Sequence, residues 1–442
     1  MINNKDLVLK SLDIISSKGC KNARVTLSQG KQTLFSVRDL KLDRLQNSES
    51  TSLYIQLYNN GKYGAFSTNK TSLIDLDNFI DKALSITKLI NTDECRDLPH
   101  IDSYYKGDKT YVDLCQYDNS IDSISNEEKI ENAINSCSEV DLSNSIITSI
   151  NCDFSDYKEY SCIADTNGFI GESKISNFFI NGECSIKGEN DSRPEGWWSE
   201  SSIFYTDLKK EGVCTKAYER ALSRLNSRKV KSKKYNLIIE NIVVSRLIAP
   251  ILSALNGGSI QQNNSFLIDS LGKKIFSDKL YIFDSAHQKR RSGSRYFDSE
   301  GVKTTERYII ENGIVNLFFI NSYFSKKLNM PITIESSSVP TLEWKSGLSL
   351  DLPTLISQTD EAILVNGFNG GNVNSTTGDF SFGINGFYVR NGIIKHPINE
   401  MNITGNIIEL WSNLEMVCSD FRESGKWILP SVMFGGVNFN GL

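Results

Sequence analysis

The sequence has few of the side chains that most metal sites use. Its 442 residues include only three histidines, His100, His287 and His396, which are far apart. Zinc in proteins is bound mainly by histidine, cysteine and carboxylate side chains. No two of the histidines have the spacing that a metal-binding helix requires, and none is followed by glutamate. The histidines therefore predict no zinc site in this chain.

Paired cysteines are absent as well. The nine cysteines are an odd number, and they are scattered without a Cys-x-x-Cys pair. This pattern indicates neither a disulfide framework nor a zinc ribbon, so we expect reduced thiols. Cys418 follows Met416 and Val417 in an apolar context, which favours a buried structural thiol.

Long apolar runs and a basic excess are also missing. Lys5, Asp6 and Lys10 interrupt the start of the chain, so no signal peptide is predicted, and no stretch approaches the ~20 apolar residues of a membrane span. The net charge of −5 gives no overall attraction to nucleic acid. Short basic stretches at 227–234 and 289–291 are candidates for a local contact, with a solvated surface as the alternative. We expect a cytoplasmic protein that binds neither membrane nor nucleic acid.

Motifs for nucleophilic catalysis and phosphate binding are not found. No Gly-x-Ser-x-Gly elbow occurs, and no cysteine stands in a papain-like context. The glycine pairs at 257–258 and 435–436 lack the Lys-Ser/Thr that follows in a phosphate-binding loop. A turn or a close-packing role is the simpler interpretation of both pairs.

The patterns that are present predict an α+β protein. Leu7, Val8, Leu12 and Ile15 have helical spacing, and Gly19 ends that helix. Period-two segments follow from 23 to 69, and a second set of helix and strand patterns reaches about residue 230. We predict two N-terminal α/β modules, at 1–105 and 106–230, and a β-rich C-terminal domain at 231–442.

Several local signals support this reading. Asn60-Gly61 and Asn167-Gly168 predict hairpin turns, because such pairs supply the positive φ values that a tight reversal needs. Ser125 followed by Glu128 predicts a capping box at the start of a helix. Asn391-Gly392 predicts a further hairpin, directly after the glycine-rich segment 370–387.

That glycine-rich segment reads GGNVNSTTGDFSFGINGF and is similar to a block of the TldD/PmbA family. Independent stretches agree: residues 44–50 read RLQNSES, 266–272 read FLIDSLG and 297–302 read FDSEGV. The resemblance spans nearly the whole chain. The family comprises bacterial and archaeal metalloprotease subunits, historically called modulators of DNA gyrase.

The resemblance also indicates which residues are missing. TldD-type members carry a His-Glu-x-x-x-His helix that binds zinc, with the glutamate as general base. In this chain the aligned positions are Ala249, Pro250 and Ala254, and the position of a further cysteine ligand is Ser424. None of the four can replace the ligand or base. This pattern resembles the PmbA (TldE) branch, so no catalytic or metal-binding residue is predicted, and zinc is expected in a TldD-type partner.

Four polar residues near these positions are candidate substrate contacts. Ser253 and Asn256 lie on or beside the predicted metal-type helix, and Asn372 and Asp379 lie in the glycine-rich segment. Roles in turns and helix caps are the alternative, because Asn, Asp and Ser favour such positions.

The resemblance thus implies a non-catalytic PmbA/TldE-type subunit, inactive alone. It would pair with a TldD-type subunit in a cytosolic zinc metalloprotease that processes unfolded or small peptides. Two alternatives remain open: a homodimeric peptide-binding or regulatory protein of the gyrase-modulator type, and a hydrolase with an unrecognised site.

Overall fold

A computed structural model of the chain describes residues 3–107, 113–345, 347 and 349–441. Its N-terminal half contains four helices and a set of long strands. The helices are α1 (Asn4–Ser17), α2 (Leu73–Thr87), α3 (Asn126–Ser138) and α4 (Val213–Leu222). The strands are β1 (Asn22–Arg38), β2 (Lys41–Asn59), β3 (Lys62–Thr68), β4 (Ile147–Asp165), β5 (Ile170–Ile186) and β6 (Glu195–Ser202).

These strands form one antiparallel sheet in the order β3-β2-β1-β4-β5-β6. Its centre is the pairing of β1 with β4, which runs from Arg24 opposite Asp165 to Arg38 opposite Asn151. The two predicted N-terminal modules therefore share a single sheet. The predicted boundary between them stays a prediction, and residues 108–112 beside it lie outside the described residues.

All four helices cover the same face of this sheet. Alternate residues of a strand point to opposite faces. Cys152 and Phe154 of β4 pack in a core with α3 and α4, and Cys162 and Ala164, which have the same parity, pack with α1 and α2. The opposite face has no helix against it in the described structure. It carries mainly hydroxyl and amide side chains, among them Ser28, Gln32, Ser36, Ser48, Ser50, Asn151, Ser155, Asn177, Asn181, Ser199 and Ser201.

The C-terminal part is β-rich, as predicted, and the α+β class is confirmed. Its helices are α5 (Ser245–Ala254), α6 (Gly257–Gln261), α7 (Ser322–Leu328), α8 (Leu352–Ser357) and α9 (Ile407–Ser412). Its longer strands are β7 (Lys233–Ile239), β12 (Glu361–Val373), β13 (Asp379–Arg390), β14 (Ile393–Asn406) and β18 (Val432–Gly441). The shorter strands are β8 (Ile282–Asp284), β9 (Arg307–Glu311), β10 (Ile314–Val315), β11 (Pro340–Leu342), β15 (Leu414–Val417), β16 (Arg422–Ser424) and β17 (Trp427–Leu429).

The five longer strands close into a ring. They follow the order β14-β13-β12-β7-β18, and an additional pairing of β14 with β18 joins the two ends. The short strands form a second sheet in the order β10-β9-β8-β11-β17-β16, while β15 extends the ring at β18. Helix α5 packs into the main core of this part through Leu247, Ile248 and Ile251, all fully buried. Buried Trp411 fixes the helix further by donating from its indole to the carbonyl oxygen of Leu247 across 3.2 Å.

Two of the predicted hairpin turns and the predicted serine cap are confirmed. Asn60 and Gly61 have φ values of 53° and 75°, and Asn391 and Gly392 have φ values of 53° and 72°, as two-residue hairpin turns require. The Ser125 side chain accepts a hydrogen bond from the backbone N–H of Glu128 and caps α3. In the described part of the chain, no helix is both long and apolar enough to cross a membrane.

Candidate functional site

One face of α5 borders two neighbouring cavities. Arg246, Ala249, Pro250 and Ser253 occupy positions i, i+3, i+4 and i+7, so they share that face of the helix. Arg246 and Ala249 line both cavities. The opposite face of α5 is in the core. The sequence therefore directs one stripe of this helix to the space where a ligand could lie.

The smaller cavity has a volume of about 380 Å³ and contains the positions aligned with the metal site. Ala249, Pro250 and Ala254 all line it, and so do the predicted contact residues Ser253 and Asn372. Its remaining wall comes from Arg246, Ser259, Asn264, Phe266, Gly371, Val373, Ser375 and Phe382. The structure thus brings together residues that are more than a hundred positions apart in the sequence.

The larger cavity, of about 820 Å³, lies between the uncovered face of the N-terminal sheet and α5. Glu183 and Trp197 line it from the sheet, and Arg224 from the segment after α4. Gly367, Phe368, Asn369 and Gly370 of β12 line its other side. Both halves of the protein therefore contribute to this cavity.

An unpaired edge of β12 runs along both cavities. Strand β7 pairs with β12 only from Ala362 to Val365. Beyond that point, residues 367–370 line the larger cavity and 371–373 line the smaller one, and no described strand pairs with them on this side. We call the space between α5 and residues 367–373 the α5–β12 groove. An extended peptide could pair with such an edge through main-chain hydrogen bonds.

Arg246 crosses the groove at its middle. It donates from Nη2 to the carbonyl oxygen of Gly371 at 2.9 Å, and its guanidinium carbon lies 5.2 Å from the centre of the Phe382 ring. Gly371 sits in an irregularity of the β12–β13 ladder with φ of +86°. A Cβ atom at this position would overlap the carbonyl oxygen of Ser381, so only glycine fits.

Asp379 is the first residue of β13, directly after the hairpin loop that joins β12 to β13, and it does not line either cavity. Its carboxylate accepts hydrogen bonds from Asn406 at 3.0 Å and from Thr377 at 2.7 Å. These bonds, with that from Asn406 the strongest, lower the pKa of Asp379. Asn264 binds the same loop through Ser375 and Thr376, both at 2.7 Å. The contacts of Asp379 are those of a residue that holds the loop.

Two further positions also lie outside the groove. Asn256 caps α6, because its side chain accepts a hydrogen bond from the N–H of Gly258 at 2.9 Å. Ser424 is exposed on β16, opposite Trp427 in the β16–β17 hairpin. Trp427 lines the larger cavity, whereas Ser424, its partner in the hairpin, does not. Asn256, a predicted substrate contact, therefore serves as a helix cap here, and Ser424, the position aligned with a cysteine ligand, lies on a different element from Ala249 and Ala254.

The residues in the smaller cavity do not fit a catalytic metal. Methyl groups at Ala249 and Ala254 and the ring of Pro250 offer no electron pair to a cation. Across the ranges that the structure describes, no three His, Cys, Asp or Glu side chains converge in a way that could hold a metal ion. The His287 ring shares a hydrogen bond with Thr304, and His396 lies beside the carbonyl oxygen of Pro397.

The two basic stretches contain several ion pairs. Arg290 pairs with Asp207, and Arg291 pairs with Glu423. In the other stretch, Lys233 pairs with Glu361. This local neutralisation favours a solvated surface over a phosphate contact, while the absence of nucleic-acid binding stays a prediction.

Sequence reasoning missed Arg246 and the β12 edge. Arg246 lies three residues before Ala249, so helical spacing alone could have placed it on the same face. The edge gives no such signal, because it depends on where the parallel pairing of β7 with β12 stops.

Comparisons with known proteins identify this scaffold as that of a metallopeptidase family. The PmbA/TldA metallopeptidase C-terminal domain matches residues 232–441, and the PmbA/TldA metallopeptidase domain 1 matches residues 23–87. The chain belongs to the PmbA/TldD family.

Individual relatives match along most of their length. A "Metalloprotease PmbA homolog" from Haemophilus influenzae is 27% identical over 439 residues, covering 97% of this chain and 94% of that protein. The crystal structure of a putative modulator of DNA gyrase from Bacteroides thetaiotaomicron is 39% identical with a TM-score of 0.95, covering 100% of both chains. A crystal structure of TldE from Thermococcus kodakarensis, 18% identical with a TM-score of 0.81, covers 98% of this chain and all of that one and shares the fold.

Proposed function

We propose that this chain is the non-catalytic subunit of a cytoplasmic zinc-dependent peptidase and pairs with a TldD-type subunit that binds the metal. The observation that carries the proposal is the wall of the smaller cavity. Ala249, Pro250 and Ala254 all face it, yet none can bind a cation or accept a proton. Such a helix would line the peptide site of the complex without supplying the catalytic groups.

The chain's contribution is the α5–β12 groove. An extended peptide there would pair with backbone groups of residues 367–373 other than the Gly371 carbonyl, which Arg246 occupies, and main-chain pairing of this kind accepts any sequence. The neighbouring face of the N-terminal sheet presents hydroxyl and amide groups, which form hydrogen bonds without selecting one charge. Unfolded or small peptides are therefore the substrate class that this groove suits best.

The proposal also draws on the relatives. Proteins that align along most of this chain are named metalloproteases. Since the aligned positions Ala249, Pro250 and Ala254 offer no metal ligands, peptide hydrolysis would require a metal from another subunit. A partner with a His-Glu-x-x-x-His helix would supply a zinc-activated water.

Co-expression with such a partner tests the proposal. We expect a stoichiometric complex that cleaves a disordered peptide at least tenfold faster than the partner alone. A failure to form a complex, with no gain in cleavage, would show that the subunit assignment is wrong. Cleavage by this chain alone in the presence of chelators would instead support a hydrolase with its own site, and peptide binding without any effect of the partner would support a binding protein.

A pair of variants tests the groove within that complex. Ser253→Trp places a large side chain in the smaller cavity from an exposed position on α5. Ser85→Trp makes the same change at an exposed position on α2. We expect Ser253→Trp to reduce peptide cleavage by at least tenfold and Ser85→Trp to leave it unchanged. Equal activity of both variants would exclude the groove as the peptide site.

A further inference from the structure

The edge of β12 that borders the α5–β12 groove has a closed end. The backbone N–H of Glu240, directly after β7, donates to the carbonyl oxygen of Val365 at 3.0 Å. The next carbonyl oxygen, that of Asn366, accepts a hydrogen bond from Nη2 of Arg220 at 3.0 Å. The part of the edge that is open to a ligand strand therefore begins at Gly367, and such a strand cannot continue along β12 beyond that residue.

Arg224 lies at this closed end. It follows α4 in the sequence, lines the larger cavity and is half-buried. A Cβ atom at Gly367 would lie 3.2 Å from Nη2 of Arg224, so the absence of a side chain there leaves room for the guanidinium group beside the strand. Nη1 donates to the backbone carbonyl oxygen of Glu195 at 2.6 Å, whereas Nη2 has no hydrogen-bond acceptor in the described part of the chain. Arg224 can therefore donate from Nη2 to a ligand.

The charge of Arg224 has no counterion of its own. None of the described carboxylates forms an ion pair with it, and the neighbouring Glu240 is paired with Arg220 at 2.8 Å. Burial lowers the pKa of Arg224, and repulsion from Arg220 lowers it further, by more than the attraction of Glu195 and Glu240 raises it. A cation withdrawn from water is costly unless it is paired. A carboxylate bound beside Arg224 would offset this cost.

The closed end and the cation together indicate which end of a peptide fits here. A strand that pairs with β12 must stop at Gly367, so it brings a chain end to Arg224. A C-terminal carboxylate would be attracted to this cation, and hydrogen bonds between ionised groups are the stronger kind. An N-terminal ammonium group would be repelled. The peptide would therefore run antiparallel to β12, from the side of Val373 towards Gly367.

We propose that Arg224 binds the C-terminal carboxylate of a peptide in the α5–β12 groove and so fixes the direction in which the peptide lies. The proposal rests on the proposed function, because it takes this groove as the peptide site. A carboxylate anchor requires no particular side chain, so it is compatible with main-chain pairing that accepts any sequence. It makes the groove selective for free C-terminal ends, which small peptides and protein tails have and internal segments lack.

Peptides that differ only at the C-terminus test the anchor in the purified full-length chain. The first is a short disordered peptide without acidic side chains, labelled at its N-terminus and ending in a free carboxylate. The second has the same sequence with a C-terminal amide, and the third is an amide whose last residue is glutamate. By fluorescence anisotropy we expect the free acid to bind at least tenfold more tightly than the amide, because hydrogen bonds to charged groups are the stronger ones. The glutamate amide should bind as weakly as the plain amide.

Substitutions of Arg224 test the residue itself. Arg224→Gln removes the charge and should reduce the affinity for the free acid to that for the amide, with the affinity for the amide unchanged. Arg224→Lys keeps a cation and should recover part of the preference. Arg228→Gln is the matched control, since it makes the same charge change at an exposed position outside both cavities. It should keep the full preference, and circular dichroism should show the same fold for all variants.

Four results would overturn the proposal. Equal affinities of the free acid and the amide for the unchanged chain would exclude the anchor and leave the groove as a peptide site. A preference that persists in Arg224→Gln would exclude Arg224, and tight binding of the glutamate amide would show that a side-chain carboxylate is the ligand. Binding of none of the peptides would also exclude the anchor. Peptide cleavage by the co-expressed complex tests the subunit assignment separately, so the two failures are distinguishable.

Discussion

Arg246 of α5 donates a hydrogen bond to the carbonyl oxygen of Gly371 across 2.9 Å, and this contact joins the helix to the irregular edge of β12. Because Arg246 lines both cavities, its side chain forms the partition between them. The backbone at this contact requires glycine, because a Cβ atom at position 371 would clash with the carbonyl oxygen of Ser381. We therefore expect Arg246 to limit how freely a ligand extends through the α5–β12 groove.

Replacement of Arg246 should change the selectivity of the groove more than the stability of the protein. Arg246 is exposed, so Arg246→Ala should alter the free energy of unfolding by no more than about 0.5 kcal/mol. The opened passage should favour bulky residues. In the complex with a catalytic partner, we expect cleavage of a tryptophan-containing peptide to rise at least threefold relative to a glycine-containing one. Arg246→Lys keeps a long cationic side chain and should keep the original ratio. If Arg246→Ala left the ratio of the two cleavage rates unchanged, the Arg246 side chain would not separate the two cavities for a bound peptide.

Restoring the two histidine ligands and the glutamate base should create a metal site. The variant Ala249→His, Pro250→Glu, Ala254→His places two imidazoles and a carboxylate on the wall of the smaller cavity. We expect about one zinc ion per chain by elemental analysis after dialysis, in contrast to Ala249→His alone. If the triple variant retains no more zinc than the single one, the three positions do not correspond to a metal helix.

Replacement of Pro250 alone should stabilise α5. Pro250 lies inside α5, where it removes a backbone hydrogen bond to the carbonyl of Arg246. Pro250→Ala should raise the free energy of unfolding by about 1–3 kcal/mol, which urea denaturation can measure. A loss of stability would instead show that the surrounding structure requires the proline.

Local chemistry predicted the elements of the fold better than it predicted their assembly. The turns at Asn60-Gly61 and Asn391-Gly392 follow from the backbone preferences of two adjacent residues, and the cap at Ser125 follows from a four-residue pattern. The pairing of β1 with β4 joins segments more than a hundred residues apart, and no local pattern specifies it.

The candidate site shows the same limit. Resemblance to the family indicated Ala249, Pro250 and Ala254, and they face one cavity. Asp379 was a reasonable candidate contact in the sequence, yet its carboxylate is used by Asn406 and Thr377. Arg246 acts through Gly371, 125 residues away, so its role appears only when the chain is folded.

The cysteines should differ sharply in reactivity. Cys95 and Cys115 are partly exposed, whereas the other seven are buried. Burial raises the pKa of Cys418 to about 12 and that of Cys184 to about 11, which suppresses the reactive thiolate further. We expect Ellman's reagent to modify two thiols rapidly in the native protein and all nine in denaturant. Rapid modification of Cys418 without denaturant would contradict the buried position of its side chain.

The FDSEGV stretch contains a buried carboxyl group whose charge is costly. Asp298 is 3% exposed and accepts hydrogen bonds from the N–H groups of Glu300 at 2.9 Å and Val302 at 3.0 Å. Burial, together with repulsion from Glu335 and Glu300, raises the pKa of Asp298 to about 7. Residues 297–302 therefore form a structural turn. Within it, burial favours the protonated form of the Asp298 carboxyl group over the ionised form.

This raised pKa predicts a pH dependence of stability with a definite sign. In the unfolded chain an aspartate titrates near ~3.9, so between about pH 4 and 7 the folded state holds a proton that the unfolded state has lost. The stabilisation from the protonated group is complete below about pH 4 and is lost as the pH rises through about 7.

The variant Asp298→Asn cannot ionise, so it should not lose this stabilisation. The difference in the free energy of unfolding between the variant and the unchanged protein should shift in favour of the variant by up to about 1.4 kcal/mol per pH unit over this window. Urea denaturation at intervals from pH 5 to 8 measures the difference. Asp379→Asn is the control, because the pKa of exposed Asp379 is lowered. The difference in the free energy of unfolding between this variant and the unchanged protein should stay constant over the same pH range. If the Asp298→Asn curve ran parallel to that of the unchanged protein, the Asp298 carboxyl group would be ionised in the folded state throughout.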